Sequence, residues 1–372
     1  MKFTVQKNII LDVLSKLQGI TGRKTNLAAT ENIYITTDKD SITLMATDLE
    51  SGFIGSYPAL IEKEGTVLIN SRKLYEIIRD YPTSEIQIWQ KDENSIHIGS
   101  DKVVYHLVIG DVDDFPEMPV LENLQLAQLK SQDLAEMIEK TIIIGGITHD
   151  KRAHINGILF EKENPGEYSF LRLVSTDGSR LSLIEKTILK GAENLPDTGS
   201  IVPKKGLSEV LKFLDGDETV QAGIKNGRLI VKKENETILI QLLDGEFPKY
   251  SGIINKNEDY KILLDHKLFL MMLKRMSILS SETYKGVHFM FEDNKLIATI
   301  TNPEFGESKE EMIINYNRMP VSVAFNPKYF IDILNVITDD QVNLYLVDGE
   351  KPCLLTSVGE PEFISVIMPM RI

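Results

Sequence analysis

The chain has 372 residues, 42% of them hydrophobic and 26% charged, an ordinary globular composition that argues against a disordered, collagen-like or disulfide-stapled protein and is too long for one core. Its 41 basic and 55 acidic residues leave a net charge of -14, the wrong sign for coating nucleic acid with the whole surface, though a localised basic face remains open. A single cysteine, Cys353, excludes an intramolecular disulfide and any multi-cysteine zinc site, and fits a reducing cytosol.

The N-terminus, Met1 to Asn8, has no apolar signal core. The longest apolar runs, Thr141 to Ile147 and Leu268 to Leu273, fall far short of the ~20 residues that span a bilayer, so a cytoplasmic chain without membrane contact is expected. Along the first 120 residues the patterns predict strand 2–6, helix 8–18 and strands 31–37, 41–47 and 52–60. A second round follows: strand 66–70, helix 71–80 and strands 85–90, 94–98 and 103–109. The helical faces are Ile10, Val13, Leu14 and then Leu74, Ile77, Ile78, with the i, i+3, i+4 spacing of an amphipathic helix.

The same unit returns twice. Leu124-Gln125-Leu126 leads into Leu134, Met137, Ile138, and Ile201-Val202-Pro203 into Leu207, Val210, Leu211. Ile262-Leu263-Leu264 leads into Leu268, Met271, Met272, and Val323-Ala324-Phe325 into Phe330, Ile333, Leu334. Strands end alike at Thr47-Asp48, Thr176-Asp177 and Thr301-Asn302. Asp114-Phe115-Pro116 and Glu246-Phe247-Pro248 break the pattern before linkers near 117–123 and 249–258. The expected domains are 1–120, 124–248 and 252–372. Short connections such as Asp92-Glu93-Asn94 suit hairpins, so the fold class is α+β: three repeats, each with two helices packed on antiparallel sheet.

Catalytic signatures are missing. No phosphate-cradling, dinucleotide-binding, GxSxG or HExxH motif occurs, the six histidines lack zinc spacing, and no metal or cofactor is expected. Thr176-Asp177-Gly178-Ser179-Arg180 reads either as a phosphate- or acyl-handling cluster or as a tight turn between strands. Six helical stretches together carry +4 and the remaining 307 residues -18. Basic pairs at Arg23-Lys24, Arg72-Lys73, Lys151-Arg152, Lys204-Lys205 and Lys274-Arg275 are solvated surface or parts of a common positive face.

Met1 to Val5, Ile155 to Glu161, Val174 to Leu181, Ile201 to Gly206, Asp244 to Tyr250 and Met368 to Ile372 together resemble the bacterial sliding clamps, the beta subunits of DNA polymerase III, over the whole chain. The resemblance implies a non-catalytic processivity factor: a head-to-tail homodimeric ring around duplex DNA, read without regard to sequence. Twelve helices at roughly 10 Å each would line a hole of roughly 38 Å, which takes two chains. Carried over by position, Arg23, Lys24, His149, Arg152, His154, Lys204 and Lys205 would face DNA. Tyr105 and Leu107 would meet Ile278 and Leu279 across the ring seam, though the same residues could be ordinary core.

The resemblance also implies a pocket for short peptides of the replicative polymerase, the clamp loader, repair polymerases and mismatch-repair proteins, often carrying a glutamine and a downstream Leu/Phe pair. Its lining would be Ile155, Thr176, Gly178, Ser179, Arg180, Leu181, Pro248, Ile253, Asn326, Tyr329, Val366, Met368, Pro369, Met370 and Arg371. Methionines suit a pocket with several partners. Ser179 and Gly252 stand where the family often has a histidine and a basic residue, and Asn26 to Thr30 where it has a more apolar segment. An enzyme built on Thr176 to Arg180, and a three-repeat interaction scaffold without DNA encirclement, are the alternatives.

Overall fold

The computed structural model describes residues 1–22, 27–100, 102–119, 124–145, 152–164, 168–196, 198–214, 216, 218–281 and 285–370. The first repeat comprises β1 (Lys2–Gln6), α1 (Lys7–Thr21), β2 (Asn32–Asp38), β3 (Ser41–Thr47), β4 (Ser51–Pro58), β5 (Leu60–Lys63), β6 (Thr66–Asn70), α2 (Ser71–Asp80), β7 (Glu85–Asp92), β8 (Ser95–Ser100) and β9 (Val103–Val108). The second comprises β10 (Ala127–Lys130), α3 (Ser131–Ile142), a single turn α4 (Ala153–Asn156), β11 (Gly157–Glu163), β12 (Phe170–Thr176), β13 (Arg180–Thr187), β14 (Ser200–Pro203), α5 (Lys204–Leu211), β15 (Thr219–Lys225), β16 (Arg228–Lys233) and β17 (Glu236–Gln241). The third comprises β18 (Lys261–Asp265), α6 (His266–Ser277), β19 (Val287–Glu292), β20 (Lys295–Asn302), β21 (Gly306–Ile313), β22 (Val321–Phe325), α7 (Pro327–Leu334), β23 (Gln341–Tyr345), β24 (Cys353–Ser357) and β25 (Phe363–Ile367).

Capping fixes where several helices begin. Asn70 and Asn326 accept from the amides of Lys73 and Lys328, and Asp265 from Leu268, each satisfying an amide that has no partner within its helix. Pro327 opens α7 at a position where its missing N–H costs nothing. Two expected details shift. The first strand of the second repeat lies at Ala127–Lys130, beyond Leu124 to Leu126, because Ala127 and Leu129 are the side chains that bury as β10 pairs with β15. The buried face of α6 is Phe269, Met272, Leu273 and Met276, while Leu268 and Met271 point outward.

The described residues form two compact units: 1–132 with 188–196 and 205–242, and 133–187 with 197–204 and 243–372. The division runs through the middle repeat because sheets continue across the repeat boundaries. In the first unit the strand orders are β5-β1-β7-β8-β9 and β10-β15-β16-β17-β4-β3-β2-β6. In the second they are β14-β11-β12-β13-β25-β24-β23-β18 and β21-β20-β19-β22. All the ladders are antiparallel. Each eight-stranded sheet is therefore two four-stranded sheets fused at one joint. β17 joins β4 from Glu236 opposite Gly55 to Ile240 opposite Ser51, and β25 joins β13 from Ile367 opposite Arg180 to Phe363 opposite Ile184.

Candidate partner-binding site and DNA-facing residues

The turn between β12 and β13 is held by its own polar side chains. Thr176 Oγ1 donates to the Arg180 carbonyl (2.8 Å) and accepts from the Gly178 amide (3.1 Å), while Asp177 Oδ1 accepts from the Ser179 and Arg180 amides. The β3–β4 turn repeats this pattern. Thr47 Oγ1 donates to the Ser51 carbonyl and accepts from the Leu49 amide, and Asp48 Oδ1 accepts from Glu50 and Ser51. In the third repeat Asn302 accepts from the Glu304 amide. A carboxylate and hydroxyl so committed to backbone are building a turn. Residue 178 has φ +87, and a Cβ placed there would meet nothing within 4 Å, so the turn opens onto empty space.

Arg180 organises the surroundings. Almost fully buried, it donates to Asp177 (3.0 Å) and Asp332 (2.7 Å) and lies 4.5 Å from the centroid of the Tyr329 ring, joining the turn to α7. A buried guanidinium so satisfied is structural as well as charged. The chain end is docked beside it: the Met368 amide donates to the Ser179 carbonyl (2.9 Å) and the Met370 amide to the Ala324 carbonyl (2.8 Å). Leu181 and Val366 are cross-strand partners on the floor, clustered with Leu159, Val174, Leu183 and Ile201. Residues 243–254 cross this cluster, packing Phe247, Tyr250 and Ile254 on it, and Pro248 shares with Phe247 and Tyr250 a cleft of about 540 Å³.

Of the residues expected to line a peptide pocket, Thr176, Gly178, Ser179, Arg180, Leu181, Asn326, Tyr329, Val366, Met368 and Met370 are thus linked by bonds or neighbouring positions. Ile155 is buried, and its carbonyl accepts from Lys204. Ile253, in a short 3-10 turn, and Met368 are exposed, Pro369 is half-buried, and Arg371 lies outside the described residues. A group that sequence reasoning missed pins the crossing segment: Arg172 bonds Glu161, Glu163 and Glu185, and the Tyr250 hydroxyl bonds Arg172 and Glu161. Burial, aided by Glu163 and Glu185 and opposed by Arg172, raises the Glu161 carboxyl above the ordinary range. The signal was a Glu–Arg–Glu row at directly paired positions of β11, β12 and β13.

The DNA-facing expectation needs one correction. Lys204 is 1% exposed, and its ammonium donates to the Ile144 and Ile155 carbonyls (2.7 Å to the latter). Burial pulls it down to about 8, Asp177 opposing and Arg180 assisting. It is an internal strut, out of reach of a phosphate. Lys205 is half-exposed and paired to Glu50 (2.8 Å) and Asp48 (3.6 Å). Arg152 is exposed at the start of α4, and His154 lies edge-on to Phe247 with centroids 6.4 Å apart. Arg23, Lys24 and His149 lie outside the described residues. Other helical cations are paired as well: Arg72 and Lys73 with Glu76, Arg275 with Glu310, and Lys140 with Glu136 and Glu360. At the expected seam Tyr105 is 38% and Ile278 76% exposed, with Leu107 and Leu279 half-buried, so these four are not core. Among the described residues no cluster of three or more His, Cys, Asp or Glu is placed to hold a metal, and no helix is long and apolar enough to cross a membrane.

Comparison with known proteins agrees with the repeat. Residues 1–119, 128–249 and 252–371 match the N-terminal, central and C-terminal domains of the DNA polymerase III beta subunit. The beta sliding clamp of Escherichia coli K12 is 30% identical over 379 residues, covering both chains completely. The chain belongs to the DNA polymerase III beta subunit family. Two solved beta clamps share its fold over essentially their whole length. That of Bartonella birtlesii, bound to griselimycin, has 26% identity and a TM-score of 0.92. That of Caulobacter crescentus, with polyethylene glycol at its proposed beta-motif tethering region, has 26% identity and a TM-score of 0.91. The family's three domains thus correspond to three copies of one strand-helix-strand plan, and this beta subunit's joints fall between the strand following the Thr47 or Thr176 turn and the last strand of the next repeat.

Proposed function

We propose that two copies of this beta subunit close head to tail into a ring around duplex DNA, and that the ring holds the replicative polymerase at its primer end. The observation that carries closure is a joint made twice and left unmade once. β4 takes β17 and β13 takes β25. Their counterparts, β21 after the Thr301 turn and β9 at the end of the first repeat, each lie at the end of a sheet. Edge strands with free backbone groups invite pairing, and a contact of unlike surfaces that closes after two copies gives a ring.

The repeat supplies the register. Gly52 and Leu181, which pair with Thr47 and Thr176, face Leu239 and Val366 at the internal joints. Glu307 pairs with Thr301 in the same way, and His106 occupies the Leu239 position counted from the preceding hairpin. Glu307 of one protomer then faces His106 of its partner, Ser308 faces Tyr105 and Gly306 faces Leu107. Small residues would receive large ones. The positions matching Tyr105 and Leu107, which are Ile238 with Ser365 and Ile240 with Ile367, are all at most 2% exposed, which marks the half-open β9 as a surface awaiting cover.

The ring's role is mechanical: topology retains the DNA and phosphate-directed contacts let it slide. Arg152, His154 and Lys205, with Arg23, Lys24 and His149, are the proposed DNA-facing residues. The turn around Gly178, Arg180 with Tyr329, and the tail 368–371 form the proposed docking site for short peptides of polymerases, the clamp loader and repair proteins. The open space above Gly178 and the docked tail support that reading. The test is retention on closed circular DNA after loading by a clamp loader. Release on cutting the circle is expected; retention indifferent to cutting would refute encirclement and favour a scaffold.

A further inference from the structure

The turn-and-floor arrangement proposed as the peptide site has a second copy at the joint between β4 and β17. A small pocket of about 100 Å³ there is lined by Thr47, Leu49, Ser51, Gly52, Leu239 and Pro116. Aligned through their turns, these are the counterparts of Thr176, Gly178, Arg180, Leu181, Val366 and Pro248. The crossing segments correspond too. Phe115 lies 5.2 Å from the ring of Tyr34, and Phe247 packs on the cluster holding Leu159, the residue at the Tyr34 position.

The two copies differ at the residue two beyond the Phe-Pro. In the second joint it is Tyr250, drawn away by Arg172 and Glu161. In the first joint it is Met118, and the positions matching Glu161, Arg172 and Glu185 are Thr36, Thr43 and Ser56, which offer no such tether. Met118 instead lies over the floor: a Cβ on Gly52 would come 2.9 Å from its Cε and 3.6 Å from Leu239 Cβ. A glycine stands where the other pocket has leucine, and the methionine fills the space. A wider cleft of about 500 Å³ with Met45, Ile54 and Phe115 in its wall shares Pro116 and Met118 with this pocket.

We propose that the β4–β17 joint is a second binding pocket for a short apolar peptide, held shut by Met118 as its internal occupant. The occupant of the opened site is a peptide of the class taken by the first pocket, because floor, turn and crossing segment are built to the same plan and the chain itself seats an unbranched apolar side chain there. The proposal rests on the peptide reading of the β13–β25 site. Each chain therefore offers one open site, and lifting residues 115–119 would offer two.

Calorimetric titration of the full-length protein with a hexapeptide carrying a glutamine and a terminal Leu-Phe pair tests this. Wild type should bind one equivalent per chain. Met118→Ala and Met118→Ser should bind two, the second about tenfold weaker because Gly52 replaces a leucine contact, and Gly52→Leu added to Met118→Ala should tighten that second equivalent toward the first. Unchanged affinity at the first site is the internal check that each variant is folded. Removing residues 368–372 from Met118→Ala should leave only the weaker equivalent. Wild type binding no peptide would overturn the first-pocket reading; one equivalent in both Met118 variants at saturation, or two in wild type, would overturn this one.

Discussion

Replacing Lys204 by methionine should change how stability depends on pH more than it changes stability at neutrality. The ammonium is buried, with a folded pKa of about 8 against about 10.4 for an exposed lysine. Below pH 8 both native and unfolded chains hold the proton, and the native state bears the whole cost of a buried charge. Between about pH 8 and 10.4 the unfolded chain holds the proton while the native chain releases it, so stability rises with pH; above that range both are neutral. The rise is about 3 kcal/mol. Methionine removes that contribution but leaves the Ile144 and Ile155 carbonyls without a donor, costing about 1–3 kcal/mol each. The two effects roughly offset at pH 7, and the wild type should pull ahead by pH 10. Urea unfolding of both chains at each pH gives the difference, and a 13C-methylated lysine resonance titrating near 8, absent from Lys204→Met, gives the pKa. A difference flat across pH 8–10, or a Lys204 resonance titrating above 10, would refute the buried-strut reading.

Leu49 and Gly178 occupy matching turn positions with φ +75 and +87. Leu49→Gly should therefore stabilise by up to about 1 kcal/mol, and Gly178→Ala should destabilise by about 1–2 kcal/mol, by thermal denaturation. Arg180→Met strips two carboxylates and a ring of their cation and should cost about 2–4 kcal/mol and weaken peptide binding; Asp332→Asn, whose partner stays paired to Asp177, should cost about 1 kcal/mol. For the seam, Tyr105→Cys with Ser308→Cys in one chain should oxidise to a covalent dimer, since facing residues of antiparallel strands lie within disulfide reach. Val104→Cys with Ser308→Cys should not. Cys353 is buried and burial pushes its thiol up, so it gives no background. Failure of the first pair with success of the second would refute the register.

The helix faces and the threefold repeat were legible because amphipathic spacing is local. The face of α6 was not: Leu268 to Leu273 is apolar at every position, so periodicity has nothing to choose between, and packing selects Phe269, Met272 and Leu273. The start of β10 was misplaced for a similar reason. Leu124 to Lys130 alternates for most of its length, and the partner strand β15 decides which part pairs. Lys204 reads as a solvated helix-start cation because the two carbonyls that enclose it are 60 and 49 residues away. Some helical ion pairs could have been read from i, i+4 spacing, as for Lys16 with Asp12 and Arg72 with Glu76. Arg275 with Glu310 could not, since the fold alone brings them together.

If the helices line the proposed ring, those pairs change what a positive helical surface would mean for sliding. Arg72, Lys73, Lys205 and Arg275 each have a carboxylate partner on a partly exposed side chain, and such pairs are worth only about 0–1 kcal/mol. A phosphate that takes the cation exchanges one weak partner for another, so the net gain per contact is small and the barrier to moving on is small as well. A surface of bare cations would hold each phosphate harder and oppose translation. If these cations line the proposed ring, retention and mobility would come from different sources, the first from topology and the second from the near-balanced exchanges. The acidic remainder of the chain would fit this division, because like charge would discourage DNA from settling outside the proposed enclosed face.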